Sequence, residues 1–355
     1  MNKKTLTGVI VAIVVVAVAG AIFYYRSQSV SPSPEKIEEE GVLIGLAIGT
    51  LQEERWQKDR DAFVAKAESL GAFVDVQSSN NVAAKQVSQI ESMIVKGVDA
   101  LVVVAYDAES LTEAIEKAHQ AGIKVISYDR LIKNANVDFY LSFDNEKVGE
   151  YQAQYVIEAA QSQAAPGEKI KVAYIGGAPT DNNAFLVRDG AYSVLQPKID
   201  SGEIEIVLEK FSDNWDPENA YKNLREYLAS GGEVDAVVAA NDGTAFGSIK
   251  ALEEYGLAGK VPVSGQDAEL SAVRRMVAGT QTVSVYKPIN NLATAAVEMA
   301  VKVAKGQDII TDKTTNNGLI DVPSVLLKST PVTVDNIRET VIADGFYTEE
   351  EVYQD

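Results

Sequence analysis

The chain has 355 residues, no cysteine and one histidine, with 51 Asp+Glu against 32 Lys+Arg and a formal net charge of −19 at pH 7. That balance excludes the basic face that nucleic-acid binding requires. The missing thiols exclude disulfides, a thiolate nucleophile and a lipid-modified N-terminal cysteine.

Lys3 and Lys4 precede an uncharged, mostly apolar run from Gly8 to Tyr25, which Phe23, Tyr24 and Tyr25 close before Arg26. A secretory signal has an apolar region of about 7–15 residues and then a small-residue site. Ala17-Val18-Ala19 and Ala19-Gly20-Ala21 each offer one. A membrane anchor needs roughly 17–25 residues. Because the run continues past both sites, the expectation is an uncleaved transmembrane anchor over 8–25, with residues 1–7 cytoplasmic and the body extracytoplasmic, at the periplasmic face or cell surface. Cleavage would instead release a secreted protein. Residues 26–40, with Ser31-Pro32-Ser33-Pro34 and Glu38-Glu39-Glu40, read as a disordered linker.

From Gly41 strands and helices alternate. The continuous apolar run Val42–Ile48 fits a strand buried on both faces. A helix over about Glu53–Leu70 follows, then a strand near Ala72–Gln77, a helix near Ala83–Lys96, and the clearest strand, Asp99–Ala105. Leu111, Ala114, Ile115 and Ala118 make one helical stripe, and Lys124–Tyr128 is the next strand. The pattern restarts at Ile170–Ile175. Val98–Val103 is echoed by Val234–Ala239. Each copy is followed by an Asp (Asp107, Asp242), a helix, a glycine (Gly122, Gly259), a short strand and another Asp (Asp129, Asp267). This is repeated βα, hence α/β with two doubly wound, Rossmann-like lobes on parallel sheets.

Ligands of open α/β sheets bind beyond the carboxyl ends of the strands. The polar clusters lie at those ends: Arg55-Trp56, Asp129-Arg130, Asp181-Asn182-Asn183, Asn241-Asp242 and Gln266-Asp267. Facing lobes would bring them into one cleft. Asp107 and Asp242, just before helices, read as N-caps. Trp56 and Trp215, the only tryptophans in the chain, both sit among polar neighbours. A flat ring held among hydrogen-bonding groups suits stacking on a sugar.

Other chemistry lacks its motifs. There is no P-loop, dinucleotide fingerprint or nucleophile elbow. His119 reads as a surface residue. One histidine and no cysteine make a transition-metal site improbable, and Asp213-Asn214-Trp215-Asp216 lacks the Gly and Glu of a calcium loop. Asp129 and Asp267 offer paired carboxylates for glycoside hydrolysis. Neighbouring Arg130 and Lys287 would hold them ionised, however, which is wrong for a general acid. Binding is expected rather than catalysis, with no catalytic residue, no metal and no cofactor.

From Gly41 onward the sequence resembles the bacterial D-xylose-binding members of the ribose/galactose-type sugar-binding proteins, a periplasmic binding protein type 1 fold. The resemblance rests on Glu54–Arg60, Tyr128-Asp129-Arg130, Phe143–Gly149, Asp181–Ala184, Ser264–Ala268, Gly279–Thr282, Tyr286-Lys287-Pro288 and Asn316–Leu319. It implies a D-xylose site in which Trp56 and Trp215 sandwich the pyranose. Arg55, Asp129 and Arg130 would hold hydroxyls from the N-terminal lobe (41–145 and 288–320). Asp181, Asn183, Asn241 and Asp267 would hold them from the C-terminal lobe (146–287 and 321–355), with Lys287 reaching in from a crossing strand. Three crossings are implied, near Phe143–Glu146, Tyr286–Pro288 and Ile320–Ser324. The implied partner is the permease of an ABC importer or the extracellular domain of a sensor histidine kinase, the latter suggested by the anchor. Other readings are a receptor for another pentose or hexose, or a glycosidase of the same architecture.

Overall fold

The computed structural model describes residues 41–311 and 313–354. The anchor expected over 8–25 lies outside them. Among the described residues no helix is long and apolar enough to cross a membrane.

The first sheet collects β1 (Leu43–Ile48), α1 (Glu54–Ser69), β2 (Phe73–Ser78), α2 (Ala83–Lys96), β3 (Ala100–Val104), α3 (Thr112–Gln120), β4 (Lys124–Tyr128) and β5 (Phe139–Phe143). All five residues of β3 are buried, as an apolar run covered on both faces must be. Leu111, Ala114, Ile115 and Ala118 form the buried stripe expected of them.

The chain then crosses into α4 (Asn145–Gln163), β6 (Ile170–Gly176), α5 (Asn182–Asp200), β7 (Ile204–Phe211), α6 (Pro217–Ala229), β8 (Ala236–Ala239), α7 (Asp242–Glu254), α8 (Leu270–Val277) and β9 (Ser284–Tyr286). It returns through α9 (Ile289–Ala304), β10 (Lys313–Asn316) and β11 (Asp321–Leu327), and ends in β12 (Thr330–Val332) and α10 (Glu349–Tyr353).

The sheet orders are β2-β1-β3-β4-β5-β11-β10 and β7-β6-β8, with β9 and β12 paired separately. Single bridges, Val237 to Val263 and Gln266 to Val285, carry the second sheet from β8 toward β9. In both sheets the first strand of the lobe lies between its second and third, the arrangement of an α/β sheet covered on both faces. β3 starts at Ala100 and β8 at Ala236, and 236 − 100 = 136 is the offset at which the two halves match in sequence. The internal likeness is therefore structural.

Three expectations change. First, the third crossing lies later than Ile320–Ser324. Asp321–Leu327 is a strand of the first sheet, pairing in parallel with β5 from Ser324–Tyr140 to Leu327–Phe143, so the chain leaves that lobe only after Leu327. Alternating burial within β11, with Val322 and Ser324 facing in, fixes it there. Second, Asp107 and Asp242 are not the caps. α3 begins at Thr112, and Asp107 closes a local turn on Glu109 N at 2.9 Å. Asn241 caps α7, accepting from Thr244 N at 2.8 Å. Asp242 is buried instead and accepts from Gln281 Nε2, Ser284 Oγ and Glu269 N at 2.8–2.9 Å. Third, His119 is half-buried and lies 2.9 Å from Asp138 Oδ2, so it is tied down rather than free on the surface.

Candidate functional site

Each lobe ends its strands toward the other, and side chains from those ends meet. Arg55 and Trp56 lie in the first turn of α1 after β1, and Asp129-Arg130 follow β4 directly. Asp181 and Asn183 open α5 after β6, Trp215 follows β7, and Asn241 follows β8. Asp267 comes after the Gln266 bridge, and Lys287 follows β9 at the second crossing. All ten expected residues line a single cavity of about 30 Å³, together with Glu53 and Gln266. In the sequence Gln266 stands out only as a neighbour of Asp267. Glu53 carried no signal of its own: in sequence it reads as one more acidic residue at a helix start.

The wall is held by backbone turned into unusual conformations. Asp129, Trp215 and Asp267 have φ of 58°, 59° and 88°, the left-handed region that costs a non-glycine residue of order 1–3 kcal/mol. Surrounding bonds over-determine each. The Asp129 carbonyl accepts from Tyr140 Oη at 3.0 Å, Ser142 Oγ at 2.8 Å and Asn183 Nδ2 at 3.1 Å. Trp215 Nε1 donates to Asp181 Oδ2 at 3.1 Å. The Trp215 ring lies on Gly177, where a Cβ would stand 2.2 Å from it, so only glycine fits. Asp267 N donates to Val285 O at 2.9 Å, and Lys287 Nζ lies 3.0 Å from Asp267 Oδ1.

The two tryptophans are both buried, at 4% and 6% exposure. Their polar sequence neighbours conceal this. Trp56 belongs to the core over the first sheet, and Trp215 packs with Val148, Ala178, Ala184, Val187, Ala240 and Val285. Trp56 also meets the guanidinium carbons of Arg55 and Arg130 at 4.6 and 5.0 Å from its ring centre. Each ring is therefore fixed by core on one side and presented to the cavity on the other.

Charge alternates around the cavity. Arg55 bonds Asp129, reaches Asp59 Oδ2 at 3.1 Å through Nε, and meets Asp267 Oδ1 at 3.2 Å through Nη1. Arg130 Nε lies 2.8 Å from Asp181 Oδ2, an ion pair whose N–H points off the oxygen and makes no hydrogen bond. Burial opposes the Arg55 charge, yet Asp129, Asp267 and Asp59 hold its pKa well above the usual value. Burial pushes the Asp129 carboxyl up, but Arg55, Lys287 and Arg130 outweigh it and leave it below its usual range. Burial raises Asp181, with Arg130 acting against it. Behind the wall, burial lifts Asp59 to about 6, with Arg55 and the Tyr128 hydroxyl opposing. Among the described residues no cluster of His, Asp or Glu is placed to hold a metal ion.

Several of these contacts span the lobes, so the described form is closed. Besides Arg55–Asp267, Arg130–Asp181 and Asn183–Asp129, Tyr106 Oη donates to Asn214 Oδ1 at 3.0 Å and Ala108 N to Thr180 O at 3.0 Å. On another side of the cleft Tyr347 Oη donates to Glu54 Oε1 at 3.1 Å.

The profile of the periplasmic binding protein domain matches residues 44–308. The chain belongs to that family. It is 51% identical over 312 residues to the D-xylose-binding periplasmic protein of Escherichia coli, covering 88% of this chain and 92% of that one. It is 50% identical over 311 residues to the D-xylose-binding periplasmic protein of Haemophilus influenzae, covering 87% and 92%. Among solved structures it is similar to an ABC transporter solute-binding protein from Clostridium phytofermentans with bound β-D-glucose, at TM-score 0.80 and 33% identity, covering 87% of this chain and 99% of that one. The α/β fold of periplasmic binding proteins expected from the βα repeat is the fold found. These relatives are binding proteins rather than enzymes, as the absence of catalytic motifs led one to expect of this chain.

Proposed function

We propose that this protein is an extracytoplasmic receptor for D-xylose that closes its two lobes over the sugar. The observation that carries the reading is the convergence of Arg55, Trp56, Asp129, Arg130, Asp181, Asn183, Trp215, Asn241, Asp267 and Lys287 on one cavity shared by both lobes. The likeness to two D-xylose-binding proteins at half identity supports it. A sugar hydroxyl donates one proton and accepts others. Carboxylates take the proton and Arg, Lys or Asn supply one, each charged hydrogen bond adding about 1.5–3 kcal/mol. The two indole faces would take the C–H faces of the ring. A ligand held from both lobes favours the closed form, because only that form makes both sets of contacts.

The apolar run over 8–25 would hold the body at the outer face of the membrane. The closed form would be read there by the permease of an ABC importer or by a sensor histidine kinase. Calorimetric titration of the full chain in detergent with D-xylose tests the reading: saturable heat is expected, and none at millimolar sugar would sink it. Co-purification from crosslinked membranes separates the partners, a permease in one case and a kinase in the other.

A further inference from the structure

Two successive residues beside the cavity hold backbone conformations that a Cβ disfavours. Asp267 and Ala268 have φ of 88° and 49°, and the stretch Gln266-Asp267-Ala268-Glu269 contains no glycine that would adopt them freely. Asp267 lines the cavity. Its Oδ1 lies 3.0 Å from Lys287 Nζ and 3.2 Å from Arg55 Nη1 of the other lobe. The direction of this one carboxylate therefore matters both to the sugar wall and to closure, and nothing local in the sequence sets it.

Asp242 is fully buried and stands behind the cavity wall, not on it. Its backbone N donates to Gln266 O at 3.1 Å, and its Oδ2 accepts from Glu269 N at 2.9 Å. Those two bonds bracket Asp267 in the chain. Between them Ser284 Oγ is a relay, donating to the Asp242 carboxylate at 2.8 Å and accepting from Ala268 N at 3.0 Å. Gln281 Nε2 donates to Asp242 Oδ1 at 2.8 Å. Arg275 fixes the far side, reaching Gln281 Oε1 at 3.0 Å and the Asp242 carbonyl at 3.1 Å. The carboxylate lies directly on Gly265, where a Cβ would stand 2.0 Å from Oδ1. None of these bonds crosses to the other lobe, so opening of the cleft leaves them intact. They over-determine a turn that its own residues would not choose.

We propose that Asp242 is a positioning residue for sugar binding: it touches no ligand, and it holds the 266–269 turn so that Asp267 is aimed into the cavity before any sugar arrives. This rests on the sugar-receptor reading above. Two variants break the support in different ways. Asp242→Asn keeps the shape but turns one acceptor oxygen into an NH2 that faces other donors. Ser284→Ala removes the relay without changing any charge. In calorimetric titrations of the full chain in detergent, Asp242→Asn is expected to weaken D-xylose at least tenfold and Ser284→Ala at least threefold. Asp267→Ala weakens xylose by itself and leaves measurable binding through the rest of the wall. In that background each of the two changes should cost less than twofold, because no carboxylate remains to be aimed. Hydrogen exchange of the sugar-free protein supplies a second readout. The Ala268 and Glu269 amides should speed up in each single variant by a factor at least tenfold larger than the amides of β6 do. The same fold loss with and without Asp267, equal acceleration in β6, or wild-type affinity in both single variants overturns the proposal and leaves the receptor reading standing. Binding of no sugar by wild type overturns the receptor reading and this proposal together.

Discussion

Arg55 Nη1 lies 3.2 Å from Asp267 Oδ1, although Arg55 belongs to the first lobe and Asp267 to the second, 212 positions later in the chain. The same guanidinium bonds Asp129 and Asp59 on its own lobe. One buried cation thus joins both walls of the cavity, and its loss leaves three carboxylates facing one another. Arg55→Ala is expected to lower the melting temperature and to weaken xylose by more than a hundredfold. Breaking a buried pair by removing one partner costs about 3–5 kcal/mol. Arg55→Lys should rescue little, because one ammonium does not reproduce a fork with three partners. Thermal melts and titrations of both variants measure this.

Trp215 rests on Gly177 with no room for a methyl group. Gly177→Ala must push the indole into the cavity or turn it out of its left-handed backbone position. Xylose affinity should fall at least tenfold with little change in far-ultraviolet circular dichroism. Trp215→Ala should do the same by removing the ring. An affinity unchanged in both variants would place the ligand elsewhere.

Gly149 on α4 and Gly190 on α5 bring those helices into backbone contact: a Cβ on either would stand 1.9 Å from a carbonyl oxygen of the other helix, that of Val187 or Glu146. α5 carries Asp181 and Asn183 at its start, so the close approach sets where they point. Gly149→Ala or Gly190→Ala is expected to cost about 1–3 kcal/mol or more of stability in denaturant melts, as overpacking does.

Burial, helped by Asp242, Asp267 and Glu54 and opposed by Arg275, raises the Glu269 carboxyl to about 8. In the unfolded chain it titrates near 4.3. Its native pKa is the higher one, so the fold holds this proton more tightly. The stabilisation is complete below the unfolded pKa and is lost as pH rises toward about 8. Melting temperature should therefore decline between pH 6 and pH 8.5. Glu269→Gln, which stays neutral, should flatten that decline. An identical slope in the variant would show that another group sets it.

Fold and site were legible in the sequence to different depths. β1, β3 and the Leu111–Ala118 stripe could be read because burial on both faces demands an unbroken apolar run or a strict helical spacing, and either leaves a mark in composition. The third crossing was misplaced because Asp321–Leu327 is a half-exposed strand next to the edge of its sheet, with a mixed pattern that fits either lobe. The N-cap of α7 was misread by one position. Asn241 and Asp242 are both good capping residues, and only the ring of donors from Gln281, Ser284 and Glu269 decides which is which. Those donors come from distant segments, so no local pattern reports them. Eight of the ten cavity side chains stand in polar clusters at strand ends; Trp215 is marked by its polar company instead, and Lys287 by the family resemblance. Glu53 has no mark in the sequence because its distinction, an unpartnered oxygen on the cavity wall, exists only once both lobes are in place.

Trp56 and Trp215 are the only indoles in the chain, and both form part of the cavity wall. Light absorbed near 295 nm is therefore reported almost wholly from the place where the lobes meet. Emission from the unlabelled protein should shift as that place is filled or opened, with no background from a distant chromophore. The molecule carries its own optical gauge of occupancy, and a cuvette titration can rank sugars before any label or mutation is introduced.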